Sequence, residues 1–179
     1  MPRNRVELDR EAKVEEILVA AERILRTGGF ESLSLNALAQ ELGLRRGAIH
    51  WYFRTKDDLF VAAARRMFAA ALAKGPRRSD YVRRIHWAID QLSGLDFLYR
   101  ALHERARHAS AAAELERQLE ANLCERLREL LRPHVPADRV EDVAQTIVVF
   151  GDGLFARPSS AAERRRRLGF LLRQLLPGD

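Results

Sequence analysis

The sequence predicts an all-α protein with about nine helices. Its 179 residues are rich in Ala, Leu, Arg and Glu, which favour helices, and include only 10 Gly and 6 Pro. Stretches of β-branched residues, which would favour strands, are nearly absent. Hydrophobic residues make up 47% of the chain, so it can bury one large core or fold as a small domain followed by a larger one.

The N-terminal stretch leads into the first predicted helix. About ten residues at the start are polar and expected to be frayed, with Arg3 and Arg5 as an alternative basic arm for a DNA minor groove. A helix is predicted from about Arg10 to Thr27, followed by two glycines that end it. Its apolar stripe comprises Val14, Ile17, Leu18, Ala21 and Leu25.

Residues 33–53 contain two short predicted helices joined by a tight turn. Ser34 is a suitable N-cap for the first, and Gly43 ends it. The apolar side of this helix comprises Leu35, Leu38, Ala39 and Leu42. The second helix is predicted from about Arg46 to Tyr52. Two short helices around a glycine-containing turn form the helix-turn-helix pattern, whose second helix enters the DNA major groove. The alternative is a helical hairpin with a solvated basic face.

The remaining chain is predicted to be helical with short breaks. Thr55 caps a fourth helix that ends near Lys74, and Ser79–Asp80 cap a fifth that ends near Gly94. Further helices are predicted over about 95–108, 110–131, 138–156 and 160–177, separated by proline-containing breaks after 131 and 156. Leucines at every fourth residue between Leu115 and Leu131 indicate a core helix rather than a zipper.

Charge and motif content restrict the class of function. The net charge of +6 and the pI of about 10.2 suit a polyanionic partner. The single cysteine, Cys124, cannot form an intrachain disulfide, which favours a reducing cytoplasm. Neither a secretion signal nor an apolar run of about 18 residues occurs, so no membrane association is predicted. Because HExxH, GxSxG, a phosphate loop and a metal-ligand constellation are also missing, we predict no catalytic residue, metal or cofactor.

The helix-turn-helix region resembles a known family. The TetR family of bacterial transcriptional repressors has its N-terminal signature at the positions of Phe30, Leu38–Ala39, Leu42–Gly43, Gly47, Ile49, Tyr52–Phe53, Lys56 and Leu59. The run RRGAIHWYFRTKDDLF is especially similar to the AcrR-like branch, and the match covers about residues 20–60. The resemblance implies a DNA-binding domain over 1–56, comprising three helices, and a larger helical regulatory domain over 57–179.

The resemblance also implies roles in DNA recognition. Base edges would be read by Arg45, Arg46, Ala48 and Trp51, whereas phosphates would be held by Ser34, His50, Tyr52 and Lys56. The chain departs from the family at two of these positions. Arg45 replaces a frequent Ser or Thr cap, and His50 replaces a frequent phosphate-binding Tyr. Both departures bear on which operator is recognised.

Two further sites are expected in the C-terminal part. A pocket for a small apolar or amphipathic effector would involve Trp87, Phe97, Tyr99, Leu102, His103 and Phe150, although ordinary core is the favoured interpretation of each residue taken singly. In TetR-like proteins the last two long helices of each subunit pack into an intermolecular four-helix bundle. The corresponding homodimer interface would involve Val143, Ile147, Phe150, Gly151, Leu154, Leu168, Leu171, Leu172 and Leu175. The alternative is that these side chains are intrachain core.

The leading hypothesis is a dimeric transcriptional repressor. It would bind a palindromic operator in double-stranded DNA and be released by a small, largely apolar effector. One alternative is a DNA-binding regulator or architectural protein without an effector, which a closed core would support and a cavity would oppose. The other is a helical enzyme or ligand-storage bundle, against which the missing catalytic constellation argues.

Overall fold

A computed structural model describes residues 5–45, 47–76 and 79–176. All regular secondary structure in these residues is helical, which confirms the all-α prediction. It comprises one short 3-10 segment, Ala48–Trp51, and eight α-helices. These are α1 Arg5–Gly28, α2 Leu35–Glu41, α3 Lys56–Ala73, α4 Tyr81–Ser93, α5 Asp96–Ala106, α6 Ser110–Leu131, α7 Val140–Ala156 and α8 Ala161–Leu175.

Two predicted elements differ from the structure. Helix α1 begins at Arg5, so the prediction of a frayed start up to Arg10 is wrong for that segment, which is rich in helix-favouring residues. Arg3 lies outside the described residues. The second helix of the helix-turn-helix is a single 3-10 turn instead of an α-helix from Arg46 to Tyr52. Gly47 has φ +82°, a left-handed conformation that an α-helix cannot include, so the helical conformation begins only after it.

The chain divides into two compact units. The N-terminal unit runs to Met67 and includes Ala101–Ala113, whereas the C-terminal unit comprises Phe68–Arg100 and the chain from Glu114 onward. Helices α3, α5 and α6 therefore each contribute residues to both units. The boundary near Lys56 was predicted between a DNA-binding and a regulatory function, and it stays a prediction.

The N-terminal unit has its own apolar core. Helix α1 contributes Ile17 and Leu25, α2 contributes Leu38, and α3 contributes Phe60, all of them at most 1% exposed. Ion pairs reinforce this packing at the surface. Arg23 contacts Glu41 at 2.5 Å, and Arg66 contacts Glu15 and Glu22. Helix α1 thus supports both α2 and α3, and together they position the helix-turn-helix.

The C-terminal unit buries most of the predicted dimer interface inside one subunit. Its core contains Val143, Ile147, Leu154, Leu168 and Leu172, each at most 4% exposed, and Gly151 is also buried. Phe150, Leu171 and Leu175 are half-buried. A side chain already buried within its own subunit has little surface left for a partner. Six of the nine predicted interface residues are thus buried by their own chain, whereas Phe150, Leu171 and Leu175 keep part of their surface exposed. The homodimer interface stays a prediction.

Other side chains of α7 and α8 remain at the surface. Val149 on α7 is 65% exposed and Phe170 on α8 is 62% exposed. Apolar side chains of this size at the surface are candidates for contact with another molecule. A subunit interface formed by these helices would thus use their outward faces.

One buried cation in the C-terminal unit leads to a stability prediction. Arg164 is 7% exposed, and two of its side-chain nitrogens have no hydrogen-bond partner among the described residues. Its nearest carboxylate, Asp96, lies 3.8 Å away and also accepts a hydrogen bond from Arg100. Asp96→Ala should lower the free energy of unfolding by roughly 1–3 kcal/mol, because it leaves the guanidinium uncompensated. Arg164→Met should be neutral or stabilising in urea denaturation, and a clear loss with Arg164→Met would contradict this account.

No helix in the described ranges is long and apolar enough to cross a membrane.

Candidate nucleic-acid interface

Helix α2 is fixed at both ends by local hydrogen bonds. The Ser34 hydroxyl accepts from the Ala37 amide at 3.4 Å, which confirms Ser34 as the N-cap. At the other end Gly43 adopts φ +63°. The amides of Gly43 and Leu44 donate to the carbonyls of Gln40 and Ala39, the two bonds of a Schellman motif. These bonds set the direction in which the chain enters the turn.

The 3-10 segment places one side chain inside and the others outside. Ile49 is fully buried, whereas His50 is exposed and Trp51 is 85% exposed. Backbone bonds from the His50 amide to the Gly47 carbonyl and from the Tyr52 amide to the Ile49 carbonyl hold this turn. Because Ile49 anchors the segment to the core of the N-terminal unit, the indole of Trp51 is presented to solvent. An aromatic ring this exposed is available to a partner.

The segment from Leu42 to Lys56 carries positive charge and has no carboxylate of its own, and Lys56 lies 3.9 Å from the Glu31 carboxylate. From Leu42 to Lys56 the sequence contains Arg45, Arg46, Arg54 and Lys56 but no Asp or Glu. Arg45 and Arg54 are exposed, and neither forms an ion pair within the described part of the chain. Arg46 lies outside the described residues. Such a segment creates a local positive potential that attracts phosphate.

The predicted phosphate-binding residues are held to different degrees. Ser34 is exposed and His50 Nδ1 lies 3.2 Å from the Arg54 carbonyl, which leaves His50 Nε2 as the ring nitrogen without a described contact. Tyr52 is half-buried. Lys56 Nζ donates to the Glu31 carbonyl at 3.3 Å and lies 4.2 Å from the centre of the Phe30 ring. Lys56 is therefore oriented by its own unit before any DNA is bound.

Of the residues predicted to read bases, Arg45, Ala48 and Trp51 belong to the described turn and 3-10 segment. The Ala48 amide donates a hydrogen bond to the Arg45 carbonyl at 2.9 Å, and this backbone bond closes the turn. Ala48 is half-buried and has only a methyl group to offer a base. The cap position of the 3-10 segment is Gly47, which provides no side-chain cap. Arg45 thus occupies the turn itself, with its side chain free to extend.

A contact that sequence reasoning missed links distant parts of the N-terminal unit. Arg105 donates to both carboxylate oxygens of Asp57, at 2.8 and 3.0 Å, and its guanidinium lies 4.9 Å from the centre of the Phe30 ring. The Asp57 carboxylate raises the pKa of Arg105 further above its usual value. The two residues are far apart in sequence, and no local pattern pairs them. The bidentate geometry fixes the start of α3 to the segment Ala101–Ala113.

The residues predicted to bind an effector belong to both compact units. Leu102 is buried and His103 is exposed, both within the N-terminal unit. Phe97 is half-buried, and Phe150 packs against the core of the C-terminal unit. The Tyr99 ring lies 5.6 Å from that of Phe155, and burial together with the nearby Asp152 raises the pKa of Tyr99 above its usual range. Tyr99 and Phe150 thus contribute to the packing of the C-terminal unit, and an effector role for the six residues stays a prediction.

A cavity of about 660 Å³ nevertheless lies within the C-terminal unit. Of the predicted effector residues only Trp87 lines it. Its walls comprise Leu72, Ala73, Gly75, Pro76, Arg84, Ile85, Trp87, Ala88, Leu123, Arg126, Leu127, Glu129 and Leu130. The volume falls in the range of small-molecule sites. The sequence did not predict that these residues share a cavity, because they come from α3, α4 and α6, which are far apart in the chain.

No grouping of three or more His, Cys, Asp or Glu side chains that could hold a metal occurs in the described part of the chain. Cys124 is buried and free, and burial raises the pKa of its thiol.

The capped α2, the tight turn and the outward-facing basic segment define a helix-turn-helix protein. Residues 17–63 match the sequence model described as bacterial regulatory proteins, tetR family. Over 173 residues the chain is 31% identical to the HTH-type transcriptional repressor Rv1474c of Mycobacterium tuberculosis, covering 87% of each chain. The protein belongs to the TetR family of transcriptional regulators, which are not enzymes.

Solved structures share the fold over nearly the whole chain. A putative transcriptional regulator from Saccharomonospora viridis, in complex with choline, aligns with a TM-score of 0.75 and 17% identity, covering 94% of this chain and 100% of that one. BioQ, bound to its double-stranded DNA operator, aligns with a TM-score of 0.66 and 21% identity, covering 90% of this chain and 96% of BioQ. At these identities the likeness is one of fold.

Proposed function

We propose that this regulator is a repressor that binds a palindromic operator as a homodimer and is released by a small effector. The observation that carries the DNA-binding part is the exposed Trp51, presented by a turn that buried Ile49 anchors. The carboxylate-free stretch around them supports a polyanionic partner. Rv1474c is named a repressor, and BioQ was solved on its operator, which supports the same role here.

Base readout and phosphate contact fall to different side chains in this proposal. Arg45, Arg46, Ala48 and Trp51 would meet base edges in the major groove. Ser34, His50, Tyr52 and Lys56 would contact phosphates on either side. The orientation of Lys56 by Glu31 and Phe30 supports a phosphate role, because a preordered cation loses less freedom on binding.

The homodimer would form through the outward faces of α7 and α8. Val149 and Phe170 are the exposed apolar side chains there, with the half-buried Phe150, Leu171 and Leu175 as further contributors. A second subunit would cover these side chains and place two reading segments on one operator. Two-fold symmetry of the protein is matched by a palindrome in the DNA.

The effector would occupy the cavity beside Trp87 in the C-terminal unit. This cavity is the observation that favours a ligand-responsive regulator over one whose C-terminal part serves only to dimerise. Residues 1–56 would then form the functional DNA-binding domain, and 57–179 the regulatory domain. A regulator of the same fold was solved with choline, which supports a small-molecule site in this architecture.

The test is selection from a random DNA pool at a stated salt concentration, followed by sequencing. Enrichment of a palindrome is expected. Retention without any enriched sequence would leave only charge-driven binding and would overturn the operator proposal.

A pair of neighbouring substitutions separates the two kinds of DNA contact. Tyr52→Phe should weaken binding to every selected sequence by a similar factor, roughly two- to tenfold, because it removes only a hydroxyl donor to phosphate. Trp51→Ala should instead relax the preference at particular base pairs. Both variants are measured by fluorescence anisotropy on the selected operator and on single-base variants. A change of sequence preference without loss of affinity for Tyr52→Phe would contradict its phosphate role.

A further inference from the structure

The cavity of the C-terminal unit has two chemically different sides. Its apolar side is formed by leucines of α3 and α6, by the buried Ile85 and by the indole of Trp87. A β-carbon placed on Gly75 would lie 3.1 Å from the Trp87 ring, so the glycine allows the ring to pack directly on the backbone. The indole is thereby held as a flat wall against which an apolar body can lie.

The other side carries unpaired positive charge. Arg84 on α4 and Arg126 on α6 both line the cavity, and neither forms an ion pair with a carboxylate among the described residues. Other arginines of this unit do pair, as Arg165 does with Asp90 and Arg128 with Glu141. Glu129 is the one carboxylate in the described lining. Cationic groups therefore outnumber anionic ones around this space.

From this arrangement we infer that the cavity binds an amphipathic organic anion. The apolar body of the ligand lies against Trp87 and the leucines, and its carboxylate is bound by Arg84 and Arg126. Guanidinium groups suit a carboxylate because they donate parallel, charge-assisted hydrogen bonds. Arg84 and Arg126 are exposed and face solvent, so a carboxylate would exchange hydrating water for charge-assisted hydrogen bonds. The two guanidinium groups would repel a cationic ligand and would form weaker hydrogen bonds with a neutral one. The inference rests on the proposed function in that this ligand would be the effector.

The test uses three probes with one shared body: 4-phenylbutyrate, its amide 4-phenylbutyramide, and 3-phenylpropyltrimethylammonium. Because the chain has two tryptophans, Trp51→Phe leaves Trp87 as the sole reporter of binding by fluorescence. The carboxylate should bind about tenfold more tightly than the amide, with the ammonium weakest. Its affinity should fall with added salt while that of the amide stays constant.

Variants assign the preference to the two arginines. Arg84→Gln combined with Arg126→Gln should abolish the preference for carboxylate and leave the amide affinity unchanged, which also shows that the cavity is intact. Arg83→Gln is the matched control, since Arg83 is the adjacent arginine on α4, is 82% exposed, and pairs with Asp80 instead of lining the cavity. It should retain the preference.

Equal affinity for carboxylate and amide, tighter binding of the ammonium, or no Trp87 response to any probe would each overturn the inference. Operator binding is measured in parallel on the protein that retains Trp51, which keeps the two proposals apart. Carboxylate binding with the expected preference but without any change in DNA affinity supports the ligand class and overturns effector-controlled release. Intact operator binding with none of the expected preference overturns the ligand class alone.

Discussion

Phe60→Ala should lower the free energy of unfolding by about 3–5 kcal/mol, the largest loss of stability expected for a single substitution in the N-terminal unit. Phe60 is fully buried on α3, and its ring meets that of Phe30 edge to face at 5.1 Å between centroids. Truncation removes a large apolar side chain, leaves a cavity, and ends this aromatic contact. Chemical denaturation followed by circular dichroism measures the loss.

Phe60→Leu is the matched control because it keeps an apolar side chain of intermediate size. It should cost roughly half as much or less. Hydrogen exchange resolved along the chain should place the added exposure in the N-terminal unit first. A loss below about 1 kcal/mol for Phe60→Ala would show that this core can collapse around the missing ring.

Local sequence signals accounted for much of the fold. Ser34 and Asp80 were predicted as helix caps, and each side chain accepts a hydrogen bond from a backbone amide of the following turn. Gly43 was predicted to end a helix, and it adopts the left-handed conformation that glycine accommodates. These signals succeed because capping involves groups only two to four residues apart, so short stretches of sequence contain the whole interaction.

The length of the second helix could not be predicted in the same way. The stretch from Arg46 to Tyr52 has acceptable helix formers, but Gly47 takes φ +82° and Ile49 is fixed by the core. Whether a glycine interrupts a helix or is included in it depends on tertiary packing. The sequence therefore predicted the helix-turn-helix motif correctly, but it did not predict that the second helix is a short 3-10 segment.

Periodicity predicted the apolar faces of α7 and α8 but not what covers them. Val143, Ile147 and Leu168 do lie on one apolar side, yet α4 and the neighbouring helices of the same subunit bury them. An apolar stripe on a helix predicts that this face is buried. It does not show whether the side chains that bury it belong to the same chain or to a second subunit. Val149 and Phe170 lie off the predicted stripe, so only the structure shows that they are exposed.

The cavity shows the same limit for a binding site. Arg84 and Arg126 are more than forty residues apart in the chain, as their numbers show, and each alone resembles an ordinary solvated arginine. They become candidates for ligand binding only because the fold places both in the lining of one cavity together with Trp87. Conversely, Tyr99 and Phe150 are the aromatic residues that composition favours for a pocket, and packing places them against the core.

Gly47→Val should reduce operator affinity by roughly 10- to 100-fold, the largest loss of DNA binding expected for a residue that need not contact DNA. Gly47 precedes the 3-10 segment at φ +82°, which a β-branched residue avoids. No atom lies within 4 Å of a β-carbon built at this position, so steric crowding by neighbours is not the cause. The backbone would relax to another conformation and redirect Arg45 and Trp51, and anisotropy on the selected operator measures the result.

Gly47→Asn distinguishes this cause from simple loss of a glycine. Asparagine enters the left-handed region several-fold more readily than most residues, so the turn should persist and affinity should fall much less than with valine. Unfolding stability should change by only about 1–3 kcal/mol with valine, because the strain is local and Ile49 remains available to anchor the segment. If valine and asparagine weakened DNA binding equally, bulk at the DNA surface would explain the loss, and the recognition turn would not depend on the left-handed conformation of Gly47.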